Sequence, residues 1–216
     1  YLDAEGEEEV TAEELKERCG ITDSPIRTLL GKGVLIERRE TELRKVFDAE
    51  DYEKTEAFVP TEEQENALQM IRAEMVQAEK RPVLLHGVTG SGKTEIYMQV
   101  IAEVLAKGQQ AIVLVPEIAL TPQILERFIS RFGEKVTVTH SRLSMGERVD
   151  QWKKARNGEI SVMIGPRSAL FMPFQNVGAI IMDEAHENSY VSDITPKYDT
   201  KEVAAAVRLL LAHTWR

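Results

Sequence analysis

Cysteine is nearly absent from this chain: its 216 residues contain one, Cys19. An internal disulfide and a multi-cysteine zinc site are excluded within these residues, and a single thiol fits a reducing cytosol. Long apolar runs are missing as well. Each is broken well short of the roughly 20 residues that a membrane span needs, and no charged-then-apolar leader opens the chain. There is no excess of positive charge. The formal net charge is −9, with 17 acidic against 9 basic residues in 1–60 and 19 against 18 in 61–216. A general electrostatic pull on nucleic acid is therefore not available, and any DNA contact has to be local. Internal repeats and low-complexity tracts are lacking. The chain opens on Tyr1 rather than Met and reads as a fragment or a processed product. With 43% hydrophobic and 29% charged residues it has the balance of a globular protein, long enough for one large domain or two small ones.

What is present is led by Gly87-Val88-Thr89-Gly90-Ser91-Gly92-Lys93-Thr94, which fits the phosphate-cradling pattern G-x-x-x-x-G-K-[ST]. The glycines let the backbone turn tightly and aim its N–H groups at phosphates. Lys93 reaches the outer phosphates and Thr94 offers a hydroxyl to Mg2+. The context is the required one: Pro82 to His86 reads as a buried strand and Glu95 to Ala106 as a helix, whose N-terminal dipole adds positive potential.

A second apolar run, Gly178 to Met182, ends in Asp183-Glu184-Ala185-His186. A strand that delivers two carboxylates at its C-terminal end is what a P-loop hydrolase needs. Asp183 would hold Mg2+ and Glu184 would polarise the attacking water. The two motifs lie far enough apart for several strand–helix units, as a doubly wound sheet requires.

The pattern between them agrees. From Pro60 on, Thr61-Glu62-Glu63-Gln64 caps a helix running to about Ala78. Strands are expected at 111–115, 136–139 and 160–164, and helices at 121–132 and 146–157; the strand carrying Asp183 comes last, followed by a closing helix from Lys201 to Leu211. The fold class expected for residues 60–216 is α/β, a P-loop lobe with a mostly parallel sheet covered on both faces. Residues 1–47 read as a small separate domain. Thr11 to Glu14 is a capping box that starts a helix ending at Gly20, and Ser24-Pro25 supplies the N-cap and first position of a second, through Leu30. Strands at 34–38 and 42–47 complete the order of a winged helix-turn-helix. Its second helix offers only Arg27, Thr28 and nearby Lys32 as polar reach, so packing or protein contact stands at least level with groove binding. The acidic run 48–59 reads as a linker. The basic stretch from Arg142 to Arg167 is either a local DNA contact or a solvated helix face.

Five segments in this order resemble a known family: the P-loop with Glu95, Val115-Pro116-Glu117-Ile118-Ala119-Leu120-Thr121-Pro122-Gln123, His140-Ser141, Gly165-Pro166-Arg167-Ser168-Ala169-Leu170-Phe171, and the box from Asp183 to Tyr190. Together they look like the replication-restart helicases of bacteria, the PriA type of superfamily 2, with a RecA-like first lobe. The Val115 to Gln123 segment is the most specific of them. The resemblance covers about residues 60–203, and the winged-helix reading agrees with the domain that precedes the helicase core in that family.

The resemblance implies an ATP-driven helicase moving 3′ to 5′ on single-stranded DNA, acting at stalled forks. It also implies single-strand-binding protein and primosome proteins as partners, and a cytoplasmic, nucleoid-associated location without membrane contact. Carried onto this chain, Gly87 to Thr94 bind ATP, Thr94 and Asp183 hold Mg2+, and Lys93, Asp183 and Glu184 drive hydrolysis. His186 couples nucleotide state to DNA or packs below the sheet. Gln64 matches the residue that contacts adenine in related helicases, or is an exposed helix residue. Thr121, Arg167 and Ser168 suit phosphate contacts. Two departures stand out: the family usually has glutamate where this chain has Ala185, and a lysine soon after Tyr190 where Val191-Ser192 stand here. No zinc site is expected within these residues. Lacking a second lobe and the arginines it supplies, the piece is expected to be nearly inactive alone. Two other classes remain open, a RecG-like or restriction-type DNA translocase and a non-enzymatic, nucleotide-sensing DNA-binding regulator.

Overall fold

The computed structural model describes residues 12–36, 47, 49–77, 81–193, 195, 197–207 and 209–215. The chain divides into two compact units, Tyr1–Glu42 and Leu43–Arg216. In the first, α1 (Ala12–Cys19) carries Glu13 and Glu14 in its first turn and Lys16 and Arg18 in its last, complementing the helix dipole at both ends. Gly20 stops it at φ 60°. The second helix, α2 (Asp23–Gly31), starts two residues earlier than expected: Thr22 is the N-cap residue and makes no side-chain cap. Pro25 then sits inside the first turn, where a missing N–H costs nothing because those donors have no intrahelical partner. Val34 and Leu35 form a bend and Ile36 follows without regular structure, so the expected strand does not begin there. Its remainder and the returning strand up to Val46 lie outside the described residues.

The second unit is built on one six-stranded sheet. In chain order its elements are α3 (Glu62–Met75), β1 (Val83–Val88), α4 (Lys93–Ala106), β2 (Gln110–Leu114), α5 (Pro122–Phe132), β3 (Val136–Val138), α6 (Met145–Asn157), β4 (Val162–Gly165), β5 (Val177–Met182), α7 (Thr200–Val207) and β6 (Leu209–Trp215). The spatial order is β1-β6-β5-β2-β4-β3, and every pairing is parallel. The helix starts follow their sequence signals. Thr61 and Gln64 form a reciprocal capping box on α3, Thr121 caps α5 with Pro122 at its first position, and Ser144 and Glu147 form a second box on α6.

The end of the chain differs from expectation. Helix α7 stops at Val207, and Leu209–Trp215 is a strand that enters between β1 and β5. The run Leu209-Leu210-Leu211-Ala212 satisfies a helix and a buried parallel strand equally by periodicity. Tertiary context decides it. Without β6, the facing edges of β1 and β5 would leave rows of backbone N–H and C=O groups unpaired; Leu210 pairs with Val83 on one side and with Ile181 on the other.

Strand alternation divides the core between the two faces of the sheet. Ala111, Val113, Val162, Ile164, Ala179 and Ile181 face α3, α4 and α5, packing with Leu68, Ile101 and Phe128. Ile112, Leu114, Met163, Ile180 and Met182 face the other way, onto Ala155 of α6, Leu170 and Ala204 of α7. The stretch expected as a linker runs along the first of these layers. Ala49 and Tyr52 pack against it, as does Phe47 just before them, and Thr55 donates its amide to Ser130 O at 2.9 Å. None of the helices among the described residues is long and apolar enough to cross a membrane.

Parallel strands bring all their C-terminal ends to one edge, so the loops after β1, β2, β3, β4 and β5 share it. Gly165 ends β4 there, and a Cβ on it would lie 2.6 Å from both Thr139 O and Thr139 Cγ2. Backbone cannot yield as a side-chain tip does. Gly165→Ala is expected to lose about 1–3 kcal/mol of unfolding free energy in urea titrations.

Candidate nucleotide-binding site

Strand β1 runs into the P-loop: Gly87 and Val88 are its last two residues, and Thr89 to Gly92 form the turn before α4 begins at Lys93. Gly92, the N-cap of α4, has φ 83°. A side chain there would be strained in that conformation, and its Cβ would run into Gln64 Nε2. Lys93 is buried, 8% exposed. Its ammonium donates to the loop's own carbonyls, Gly87 O at 2.8 Å and Val88 O at 2.9 Å. The loop thus surrounds the charge that its sequence offers to phosphate.

Gln64 lies against this loop. Its Oε1 accepts from Thr61 N at 3.0 Å, completing the capping box, while Nε2 donates to Ser91 O at 3.1 Å. The side chain expected to meet adenine is engaged with the helix cap and the P-loop backbone.

Asp183 follows β5, with its amide donating to Leu114 O at 2.9 Å. One carboxylate oxygen, Oδ1, accepts from Glu184 N at 3.0 Å. The other, Oδ2, lies 3.2 Å from the Tyr97 hydroxyl, whose oxygen is also 3.1 Å from Thr94 Oγ1. The residues expected to share Mg2+, Thr94 and Asp183, therefore meet at one phenol. Burial pushes the Asp183 carboxyl above its ordinary value, and the Glu184 charge adds to that. Hydrogen bonds from Glu184 N and Tyr97 and the nearby Lys93 charge oppose it. Glu184 is the one described non-glycine residue with positive φ, 47°, a conformation that costs about 1 kcal/mol or more. Its carboxylate lies 3.6 Å from His186 Nδ1, and His186 Nε2 lies 3.8 Å from Glu187 Oε1. Ala185, where the family usually has a carboxylate, is buried in the core layer that holds Tyr190.

The remaining candidates lie along the same edge. The Thr121 hydroxyl caps Ile124 N. Arg167 Nη1 donates to Ser189 O at 3.2 Å and Val191 O at 2.5 Å, while Ser168 beside it is exposed. Glu117 accepts from Ser141 N at 2.8 Å. The Ser141 hydroxyl and amide together hold the Glu117 carboxyl below its usual range. Among the described residues no group of three or more His, Cys, Asp and Glu could hold a metal ion. Thr94 and Asp183 fit Mg2+ in another way: the ion takes hard oxygen donors and is commonly held by one or two carboxylates together with phosphate oxygens and water.

Two features were missed in the sequence. Tyr97 stands three residues after Thr94 on the same helix face, a readable signal. Its meeting with Asp183, 86 residues on, was not readable. The other is what holds Glu95, directly after the P-loop. Its carboxylate pairs with Arg131 of α5 at 2.9 Å, the two side chains being 15% and 8% exposed. It also accepts from Phe58 N at 3.2 Å and Gln99 Nε2 at 3.1 Å.

Removing Arg131 leaves a poorly hydrated carboxylate beside the P-loop. Arg131→Ala is expected to cost about 3–5 kcal/mol. Arg72→Ala, which breaks the more exposed pairs with Glu65 and Glu103, is expected to cost about 1 kcal/mol or less. Paired urea titrations check the contrast. For Asp183, a folded-state pKa above the unfolded one means its contribution to stability is fully present below the ordinary 3.8 and lost as pH rises through the folded value. In metal-free buffer, Asp183→Asn is therefore expected to raise the melting temperature at pH 7.5 by more than at pH 4.

Residues 61–211 match the DEAD/DEAH box helicase family. The chain is 49% identical over 195 residues to the replication restart protein PriA of Bacillus subtilis (strain 168), covering 90% of this chain and 24% of that protein. It is 44% identical over 182 residues to the PriA of Synechocystis sp. (strain ATCC 27184 / PCC 6803 / Kazusa), covering 84% and 21%. The chain thus spans about a quarter of the length of the curated relatives it matches. Among solved structures it is similar to RecG bound to a three-way DNA junction, with TM-score 0.56 and 26% identity over 74% of this chain and 21% of that one. With the P-loop, the Asp183-Glu184 pair and strands β1 and β5 that carry them all inside the matched span, the chain belongs to the DEAD/DEAH box helicases.

Proposed function

We propose that these residues are the nucleotide-binding lobe of an ATP-dependent DNA helicase of the replication-restart type, preceded by a winged-helix domain. The observation that carries this reading is the convergence of Thr94 and Asp183 on one edge of a parallel sheet, with Lys93 buried against the adjoining P-loop. In this reading Gly87 to Thr94 bind the phosphates and Thr94 and Asp183 hold Mg2+. When bound, that ion would neutralise charge on the phosphates. Lys93 leaves Gly87 O and Val88 O for the outer phosphates. Glu184 orients the attacking water from its αL turn, and His186, beside the Glu184 carboxylate, relays nucleotide state. Gln64, already on the P-loop carbonyl of Ser91, takes the adenine side.

The DNA-facing part of the proposal rests on Thr121, Arg167 and Ser168, which follow β2 and β4 on the same edge. Single-stranded and forked DNA are the proposed substrates, with translocation 3′ to 5′ and with single-strand-binding protein and primosome proteins as partners in a bacterial cytoplasm. A RecG-like translocase is the second reading, favoured by the structural likeness to RecG, although the 26% identity there is well below the 49% to PriA. Hydrolysis by these 216 residues alone is expected to be slow, because motors of this class complete the site with arginines from a second lobe.

The test is binding of N-methylanthraniloyl-ATP with Mg2+ by the chain and by Lys93→Ala. Loss of a charged hydrogen bond to phosphate is expected to weaken affinity by about 10- to 100-fold. Equal affinity would refute the reading.

A further inference from the structure

The Tyr97 phenol is 1% exposed, fixed on α4, and its ring stacks on Phe128 of α5 with centroids 6.2 Å apart and planes at 18°. Its oxygen has two polar neighbours, Thr94 Oγ1 at 3.1 Å and Asp183 Oδ2 at 3.2 Å. Donor counting fixes the direction of this chain. A phenol has a single proton, and an ionised carboxylate can only accept. The Tyr97 proton therefore goes to Asp183, and Thr94 must donate its own hydroxyl proton to Tyr97. With that proton turned inward, the Thr94 oxygen keeps its lone pairs free on the outward side. Asp183 Oδ2 is held from behind, and Oδ1 is held by Glu184 N.

We propose that Tyr97 is a positioning residue for the metal–nucleotide site: its buried phenol sets the Thr94 hydroxyl and the Asp183 carboxylate in the orientation in which both present lone pairs to one divalent cation. This rests on the nucleotide-site reading above and adds to it a residue that touches neither nucleotide nor metal. Groups that orient metal ligands in this way are typically worth about 10- to 100-fold in metal affinity. Nucleotide binding without metal should not need it, because the P-loop amides and Lys93 do not touch the phenol.

The experiment compares the full chain with Tyr97→Phe, which keeps the ring on Phe128 and removes only the hydroxyl. N-methylanthraniloyl-ADP is bound first in EDTA and then across a Mg2+ titration, with thermal melting as the check on folding. Affinity in EDTA is expected to agree within about 2-fold, while the Mg2+ needed to tighten binding rises about 10-fold in the variant. Superimposable Mg2+ titrations would overturn the proposal and leave the nucleotide-site reading intact. A parent chain whose nucleotide affinity ignores Mg2+ would overturn both. Should Tyr97→Phe not fold, 3-fluorotyrosine placed at position 97 alone gives a second readout. Movement of its fluorine resonance when Mg2+ joins the ADP complex supports the proposal, and an unmoved resonance overturns it.

Discussion

The carbonyl of Leu114 is the point on which the site depends. Strand β2 ends there, and the oxygen accepts from Asp183 N and from the Tyr190 hydroxyl, both at 2.9 Å. The first bond holds the end of β5 beside the end of β2 where the chain leaves the sheet. The second is shared, since the single phenol proton divides between this carbonyl and Asp183 O, which lies nearer at 2.6 Å. Tyr190 is itself tied down, its own carbonyl accepting from the Thr200 hydroxyl at the start of α7. Asp183 is thus gripped twice by buried tyrosines, through its backbone by Tyr190 and through its carboxylate by Tyr97. Both phenols are pushed to high pKa by burial first and then by the neighbouring carboxylates, which favours their neutral, donating form.

This grip explains how Glu184 can occupy a left-handed backbone conformation. A non-glycine residue at φ 47° persists only where its neighbours over-determine it. Here the residue before it is bonded at its amide, its carbonyl and both carboxylate oxygens, and Ala185 after it is buried. The turn re-aims the Glu184 side chain away from the sheet and toward His186. Alanine at 185 is consistent with that packing, since the position lies in the core layer with Tyr190.

Much of this was legible in the sequence, for a definable reason. The P-loop, the capping box at Thr61, and the apolar runs of β2 and β5 are local signals, and the structure places them within a residue or two of where they were read. What was not legible depends on residues distant in sequence. The run from Leu209 became a strand because two other strands left a slot for it. The stretch after Asp48 looked like a linker because it is acidic, but Tyr52 and the amides of Thr55 and Phe58 find partners on the lobe. Gln64 and Arg167 matched their family positions, yet only coordinates reveal that both side chains hold backbone carbonyls, of Ser91 in one case and of Ser189 and Val191 in the other.

Those internal engagements bear on how such a lobe would meet DNA with no net positive charge. Residues 61–216 are nearly balanced, and several of their cations are spent inward. Lys93 is on its own loop, Arg131 on Glu95, Arg148 on the Ser141 carbonyl at 2.7 Å, and Arg167 on two main-chain oxygens. Long-range attraction is therefore weak, and phosphate would have to be met by neutral donors or by cations released from carbonyls. A cation that exchanges a carbonyl for a phosphate gains a charged partner but gives up a hydrogen bond that holds a loop. In the case of Arg167 that loop is the one following the Asp183 box, so the exchange would loosen the segment that carries Tyr190, the residue that fixes Asp183 on Leu114. In the proposed reading, phosphate contact at this edge of the sheet would reach the Thr94–Asp183 site through a short run of named hydrogen bonds.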